Sequence, residues 1–248
     1  MTHILLLLFG ITLYAACGNP EGNASASATA NTSEASSEFD AIAECLASKD
    51  YNYEELLTKA DIAKHISIDE SSYKKDVSST QGKYGSCVYR WKSDRPDKEI
   101  TSVVTGAVHK RPDKNEVTIK LLDFYDDDDL NRYEQGSALE LFDQSYKKLS
   151  AAEHDEILAN MEKKLGDKPE DLARAKKMMD SRMKFTYESV EELADRAYWK
   201  WSDEYGIELI VLAGTARFTI LSKTTAEPET SLDHAVKFAK EVLAKCKG

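Results

Sequence analysis

The densest group of side chains that could do chemistry is the acidic run in "DFYDDDDLNRYE", which contains Asp123, the four residues Asp126 to Asp129, and Glu134. Carboxylate oxygens bind calcium, but a calcium loop alternates its carboxylates so that they converge, and it places a glycine at the bend. Four consecutive aspartates diverge and repel one another. We therefore expect a solvated loop over residues 126–136, whose last acids favour a helix start, and no metal site.

The other residue types used in catalysis show no spacing that would assemble a site. The five histidines, at positions 3, 65, 109, 154 and 234, lie in unrelated segments without the paired spacing of a zinc site. No nucleophile elbow, phosphate-binding loop or dinucleotide fingerprint occurs. The sequence thus predicts a non-enzymatic protein with no catalytic residue, metal or cofactor. A hydrolase whose residues meet only in space is the enzymatic alternative.

Composition limits the size of the fold and the class of partner. The chain has 248 residues, of which 42% are hydrophobic, enough for one domain with a sizeable core. Its 33 basic and 44 acidic residues give a formal charge of -11. Such a field repels a phosphate backbone, which argues against a nucleic-acid partner.

A hydrophobic segment near the amino terminus ends at a cysteine. Residues 4–16, "ILLLLFGITLYAA", are too few to cross a bilayer core, which needs roughly 20, and are typical of a signal peptide. The end of this segment with the next residue, "LYAAC" from Leu13 to Cys17, resembles the lipobox of bacterial lipoprotein precursors. The resemblance implies a signal peptide over residues 1–16 and cleavage before Cys17, which would carry diacylglycerol with acyl chains such as palmitate. A chance cysteine beside an ordinary cleavage site is the alternative.

The segment after the cysteine has the composition of a tether. Residues 18–38 are nearly all Gly, Asn, Ala, Ser, Thr and Glu, which cannot bury enough apolar area to offset their ordering entropy. We assign residues 17–38 to a lipidated, disordered tether that holds the domain at the bacterial cell envelope, with the membrane as partner through the anchor. Gly18 is not the aspartate that retains lipoproteins at the inner membrane in some lineages, which favours the outer membrane where there are two.

Three further cysteines, Cys45, Cys87 and Cys246, would lie in a disulfide-permissive compartment. Cys45 and Cys246 lie in amphipathic helical segments at the two ends of the folded part. Cys87 begins "CVYRW" and shares a strand face with Tyr89 and Trp91, the usual setting of a buried thiol. We predict a disulfide between Cys45 and Cys246. Cys45 with Cys87 is the alternative, because sequence does not determine connectivity.

Hydrophobic periodicity predicts alternating helices and strands in a single domain over residues 39–248. Helices are predicted at residues 39–50, 58–65, 138–149, 150–165, 169–183, 189–197 and 231–246. Strands are predicted at residues 87–92, 99–110, 116–124, 197–201, 207–213 and 216–223, with the second and third forming a hairpin. Residues 69–85 are predicted to be a loop.

Two stretches of the domain look related. "TKADIAKH" from Thr58 matches "SVEELADR" from Ser189, and a strand with an aromatic pair, "VYRW" or "YWKW", follows each. We infer a degenerate repeat of helix, three strands and helix, with copies at about 53–149 and 186–248 and a helical insertion at about 150–185. The expected fold is α+β, an antiparallel sheet of about six strands with helices on one face.

These patterns favour a lipid-anchored, non-enzymatic envelope protein that binds another protein or a surface component. The alternative is an extracytoplasmic carrier of a small apolar ligand, suggested by the cluster Met178, Met179 and Met183 and by the paired aromatics Trp199 and Trp201. The paired aromatics are more typical of a core. A carrier requires a cavity of about 300 Å³ or more, whereas a binding module requires an exposed apolar patch or an open sheet edge.

Lipidation of Cys17 is the first testable prediction. Mass spectrometry of the mature amino terminus should find an acylated Cys17 as the first residue, and the protein should be recovered with membranes. A free, unacylated terminus downstream of residue 17 would overturn this prediction.

Overall fold

A computed structural model describes residues 32–78, 80, 82–101, 105–184 and 187–247. Cys17, the signal segment and most of the assigned tether lie outside the described residues, as does the side chain of Met183. The first helix begins at Thr32, inside the segment assigned to the tether. Residues 32–38, "TSEASSE", contain neither glycine nor proline, so the helix of the following residues can extend through them.

Helices and strands alternate along the described ranges. The helices are α1 (Thr32–Ser48), α2 (Tyr53–Leu56), α3 (Lys59–Ala63), α4 (Asp127–Arg132), α5 (Ala138–Tyr146), α6 (Ala151–Leu165), α7 (Pro169–Lys184) and α8 (Pro228–Ala244), with a 3₁₀ turn at Gly82–Tyr84. The strands are β1 (Lys74–Val77), β2 (Ser86–Lys92), β3 (Lys98–Thr101), β4 (Val108–Arg111), β5 (Lys114–Phe124), β6 (Glu188–Ser189), β7 (Arg196–Ser202), β8 (Gly206–Ala213) and β9 (Ala216–Lys223).

Seven of the strands form one antiparallel sheet in the order β1-β2-β5-β9-β8-β7-β6, while β3 and β4 pair with each other as a separate ribbon. The α+β class predicted from sequence is confirmed. The run "IELIVLA" forms β8, which lies inside the sheet between β7 and β9, as its apolar residues on both faces predict.

The main hydrophobic core lies on one face of the sheet, beneath α1, α2, α3 and α8. Tyr89 and Trp91 of β2 are fully buried there, and Trp199 and Trp201 of β7 pack against the same core, so both aromatic pairs belong to it. Helix α8 contributes Ala235, Ala239, Val242 and Leu243 to this core.

Helices cover the opposite face of the sheet as well, so the prediction of helices on one face is wrong. Ile210 and Leu212 of β8 point away from the main core and, with Tyr198, pack against Leu141 and Phe142 of α5. A strand that is apolar on both faces needs a hydrophobic cover on both. Helices α6 and α7 form a hairpin with its own small apolar cluster.

The helix predicted at residues 189–197 is not formed. Ser189 pairs with Tyr198 in the sheet, and Val190 N–H donates to Ala197 O. A helix of nine residues is marginal by itself, and strand pairing outweighs the local capping pattern. The aligned aromatic pairs also occupy different places: β2 lies next to β5, whereas β8 separates β7 from β9. The halves therefore do not repeat in the predicted register.

The predicted hairpin of the second and third strands is also wrong, because β4 pairs with β3 and β5 pairs with β2 and β9. The carboxylate of Asp113, which precedes β5, forms ion pairs with Arg95 Nε at 2.9 Å and with Lys223 Nζ at 2.9 Å. These ion pairs hold the start of β5 beside the end of β9.

Both segments predicted to be loops contain regular structure. Strand β1 lies at the sheet edge, where its four side chains are all exposed, so it carries no alternating apolar signal. The acidic run starts α4, because the Asp126 side chain accepts a hydrogen bond from Asp129 N–H at 2.8 Å. The described residues contain no group of three potential metal ligands, nor any helix with the length and apolar composition needed to cross a membrane.

A disulfide joins Cys45 in α1 to Cys246 after α8, as predicted, with a Cα–Cα distance of 5.5 Å, and Cys87 is a buried free thiol. Lys245 adds hydrogen bonds next to the disulfide, because its Nζ donates to Glu55 O at 2.7 Å and to the Asp61 carboxylate at 2.5 Å. The first and last described helices are thus linked covalently.

Replacing Cys45 by serine should lower the free energy of unfolding by about 2 to 5 kcal/mol, because the bond closes a very long loop and restricts the unfolded chain. Urea denaturation under non-reducing conditions measures this change. The Cys45→Ser/Cys246→Ser double variant is the matched control, and it should lose no more than the single variant. An unchanged midpoint in Cys45→Ser would contradict a stabilising role for the bond.

Candidate functional site

A cavity of about 530 Å³ lies between the sheet and the helices α4 to α7. Its floor is formed by Asp123 at the end of β5, Tyr125 just after it, and Arg217 of β9. Helices α4 and α5 and the α6–α7 hairpin form the walls. The cavity therefore depends on two strands far apart in sequence that are adjacent in the sheet.

A β-bulge places the carboxylate of Asp123 in the cavity. Lys120 is opposite Thr219 and Asp123 is opposite Arg217, so β5 uses one more residue than β9 between these pairs. Leu121 takes the positive φ of +55° that accommodates the extra residue. Without the bulge, the two-residue period would turn Asp123 toward the main core. The strain at Leu121 thus sits beside the site, where such strain is often found.

Tyr53 of α2 connects the bulge to the 3₁₀ turn that carries Lys83. The Tyr53 hydroxyl accepts a hydrogen bond from Leu122 N–H at 3.1 Å and donates toward Gly82 O at 3.1 Å and Lys83 O at 3.2 Å. Gly85 leaves room for the Tyr53 ring, since a Cβ at this position would lie 2.7 Å from Cε2 of the ring. Burial raises the pKa of Tyr53 to about 12, so the hydroxyl keeps its proton. Lys83 Nζ consequently lies 3.5 Å from Asp123 Oδ1.

Arg217 is the central polar residue of the floor. Its Nη2 donates to Asp123 Oδ2 at 2.8 Å, and its Nη1 donates to the hydroxyls of Tyr125 at 3.2 Å and Tyr146 at 3.3 Å. Burial alone would lower the pKa of Arg217, but Tyr125, Tyr146 and Asp123 more than offset burial and raise the pKa. Arg217 is therefore a fixed cation.

The two tyrosines whose hydroxyls accept hydrogen bonds from Arg217 are neutral at physiological pH. Burial raises the pKa of Tyr125 to about 12, and burial also raises the pKa of Tyr146. A neutral phenol that accepts from Arg217 still has a hydrogen that it can donate. The hydroxyl of Tyr125, which lines the cavity, can thus take part in binding an acceptor atom.

The cavity lining carries an excess of positive charge although the whole chain is strongly acidic. Its cations are Lys83, Arg132 and Arg217, and its carboxylates are Asp123 and Asp129, so the described lining has one net positive charge. Lys83 and Arg217 share the carboxylate of Asp123. Arg132 Nη1 lies 3.8 Å from Asp129 Oδ1, one helical turn away.

The α6–α7 hairpin contributes only apolar residues to the cavity lining. They are Met161 of α6 and Ala175, Met178 and Met179 of α7, and Leu141 of α5 adds one more apolar residue. Methionine side chains are flexible and polarisable, so such a wall adapts to ligands of different shape. Met178 is 62% exposed, which leaves apolar surface open toward the cavity and solvent.

The structure brings some of the sequence-predicted residues together and separates others. Met178 and Met179 both line the cavity, whereas Trp199 and Trp201 pack against the main core. From the acidic run, Asp129 and the preceding Asp123 reach the cavity. Ser145 also lines it, and its hydroxyl donates to Leu141 O at 2.9 Å within α5.

Sequence reasoning missed Lys83, Tyr125 and Arg217. A signal for Arg217 was present, because "ARFTILSK" places this charged side chain in a strand whose other residues are nearly all buried. The interruption of alternation in "IKLLDF" likewise marks the bulge before Asp123.

Compared with protein-family models, curated proteins and solved structures, the chain matches none of them. The function must therefore be inferred from the chemistry of the cavity itself.

Replacing Tyr53 by phenylalanine tests the connection between the bulge and the 3₁₀ turn. The free energy of unfolding should fall by about 1 to 3 kcal/mol, because the buried N–H of Leu122 loses its acceptor. Urea denaturation measures the change. The matched control is Tyr84→Phe, since Tyr84 lies in the same turn but is 68% exposed, and its stability should not change. Equal effects of the two substitutions would contradict the proposed connection.

Proposed function

We propose that this protein is an exported, lipid-anchored, non-enzymatic binding protein of the bacterial cell envelope that holds a small ligand in the cavity above β5 and β9. The observation that carries the proposal is the cavity of about 530 Å³ with one apolar wall and a few convergent polar groups. Small-molecule sites typically have about 300 to 1,000 Å³ and this mixture of linings.

The α6–α7 hairpin supports this proposal because its buried apolar residues pack with one another and not with those of α5. Met161, Ala175 and Met179 form a cluster separate from the cluster of α5 and the sheet. The cavity lies between these two clusters. If the hairpin only covered the sheet, its apolar residues would be expected to pack against those of α5 in one cluster.

The anchor follows from the lipobox-like residues before Cys17. Acylation of Cys17 would make the membrane a partner of the protein through its lipids, since more than one acyl chain gives stable attachment. Helix α1 begins at Thr32, so the folded domain would be held near the membrane surface, at the outer membrane where the cell has two.

Protein binding at the sheet edge is the second candidate function. Strand β1 is an edge strand, and Val77 on this strand and Tyr84 in the following 3₁₀ turn expose large apolar side chains. An exposed edge can accept a strand from another envelope protein. However, Lys74 and Lys75 lie on β1, and edge lysines disfavour strand addition. The cavity is the better supported site.

Binding in the cavity can be measured with N-phenyl-1-naphthylamine, a neutral apolar dye whose fluorescence rises in an apolar site. We would use the full chain with Cys17→Ala, because acyl groups would themselves bind the dye. Saturable binding is expected, and Ser145→Trp should weaken it about tenfold or more by filling the cavity, which corresponds to about 1.4 kcal/mol.

The matched control is Leu139→Trp, which adds the same side chain to the same helix at an exposed position outside the cavity lining. This variant should bind the dye as the parent does. Absence of saturable binding, or equal binding by Ser145→Trp and Leu139→Trp, would overturn the proposal.

A further inference from the structure

The charged and the apolar residues of the cavity lining come from different helices and strands. The α6–α7 hairpin contributes Met161, Ala175, Met178 and Met179, all without charge. The sheet and the adjoining 3₁₀ turn contribute charged and phenolic groups. A ligand that satisfies both sides must itself have one apolar and one polar end, because a buried polar group without a partner is costly on either molecule.

The polar end of the cavity favours an anion over a cation. The carboxylate of Asp123 already contacts two cations, Arg217 at 2.8 Å and Lys83 at 3.5 Å. Arg132 contacts Asp129 only at 3.8 Å, beyond normal hydrogen-bond length. A bound anion would neutralise the remaining positive charge, whereas a bound cation would add to it.

Arg217 offers the geometry that carboxylates and phosphates require. A guanidinium presents parallel N–H groups that match two oxygens of one anion. The Nη1 of Arg217 currently contacts two tyrosine hydroxyls at 3.2 and 3.3 Å, longer than most charge-assisted hydrogen bonds. The neutral hydroxyl of Tyr125 can then donate to the same anion.

We infer that the ligand is a small amphipathic anion, an apolar chain or ring that carries one carboxylate or phosphate group. The anion lies at Arg217 and Lys83, with Arg132 at its edge, and the apolar part lies against the methionines of α6 and α7. This inference rests on the proposed function, because it assigns the ligand class of the same cavity.

The test displaces the bound dye from the Cys17→Ala chain with four ligands of equal chain length, each kept below its micelle concentration. These are decanoate, decyl phosphate, decanol and decyltrimethylammonium. At least one of the two anions should displace the dye at a concentration about 10- to 100-fold lower than decanol, the effect of one charge-assisted contact in a shielded site. Decyltrimethylammonium should be no better than decanol.

Variants that remove one cation locate the anion. Lys83→Gln changes a side chain that is 45% exposed, so no buried charge is left behind, and it should reduce the advantage of the anion over decanol about threefold or more. The matched control is Lys110→Gln in β4, which lowers the net charge equally but lies outside the cavity lining. It should leave the ratio unchanged.

The outcomes separate this inference from the proposed function. If the dye binds but the anions are no better than decanol, or the cationic ligand is best, the anionic ligand class is overturned while the cavity proposal stands. Equal effects of Lys83→Gln and Lys110→Gln would also overturn it, because the anion would then not lie at Lys83. If the dye does not bind in a saturable way, the carrier proposal fails and this inference fails with it.

Discussion

The antiparallel pairing of β5 with β9 joins the first part of the chain to the last. A single β-bulge in this pairing determines which side chains of β5 lie on the face of the sheet opposite the main core. The pairing brings Asp123 opposite Arg217, residues separated by 94 positions. The extra residue at Leu121 reverses the side-chain alternation, so Leu122 enters the main core and Asp123 faces the cavity. The floor of the cavity is thus a direct consequence of strand register.

A second closure joins the two ends of the folded chain. Besides the disulfide, Asp61 in α3 accepts hydrogen bonds from Lys245 and Lys64, and its own helix is capped by Thr58. Burial would raise the pKa of Asp61, but Lys245, Thr58 and Lys64 lower it well below the usual range. The carboxylate therefore stays charged, and α3 is held against the end of α8.

The proposed ligand class follows from a contrast between local and global charge. The chain carries a formal charge of -11, yet the cavity lining has more cations than carboxylates. A global negative field slows the approach of anions, so affinity for an anion must come from close contacts in a partly desolvated site. Arg217 with its phenolic neighbours supplies such contacts, and the methionine wall supplies apolar area. The same two features distinguish a carrier from a protein that binds through an exposed edge.

Features that depend on local interactions could be predicted from the sequence. The capping residues Thr58 and Ser150 start helices where the sequence predicts them, because a cap satisfies backbone N–H groups only three residues away. Periodicity also identified the helix that became α8, the buried Cys87 and the helical segments that the disulfide joins. These features depend on neighbours in the chain or on simple burial.

Only the tertiary structure decided which strands pair and which charges meet. "SVEELADR" has the pattern of a helix start, but Ser189 pairs with Tyr198 because the sheet edge offers backbone hydrogen bonds that a short helix cannot match. Lys83, Asp123 and Arg217 lie close together because of the β-bulge in β5 and the hydrogen bonds of Tyr53 in α2. The composition of the chain and the spacing of its residues do not determine which residues of two distant strands lie opposite each other. The sequence by itself therefore determined most of the helices and strands and which cysteines pair, whereas the cavity and its charge arose only from the way distant strands align.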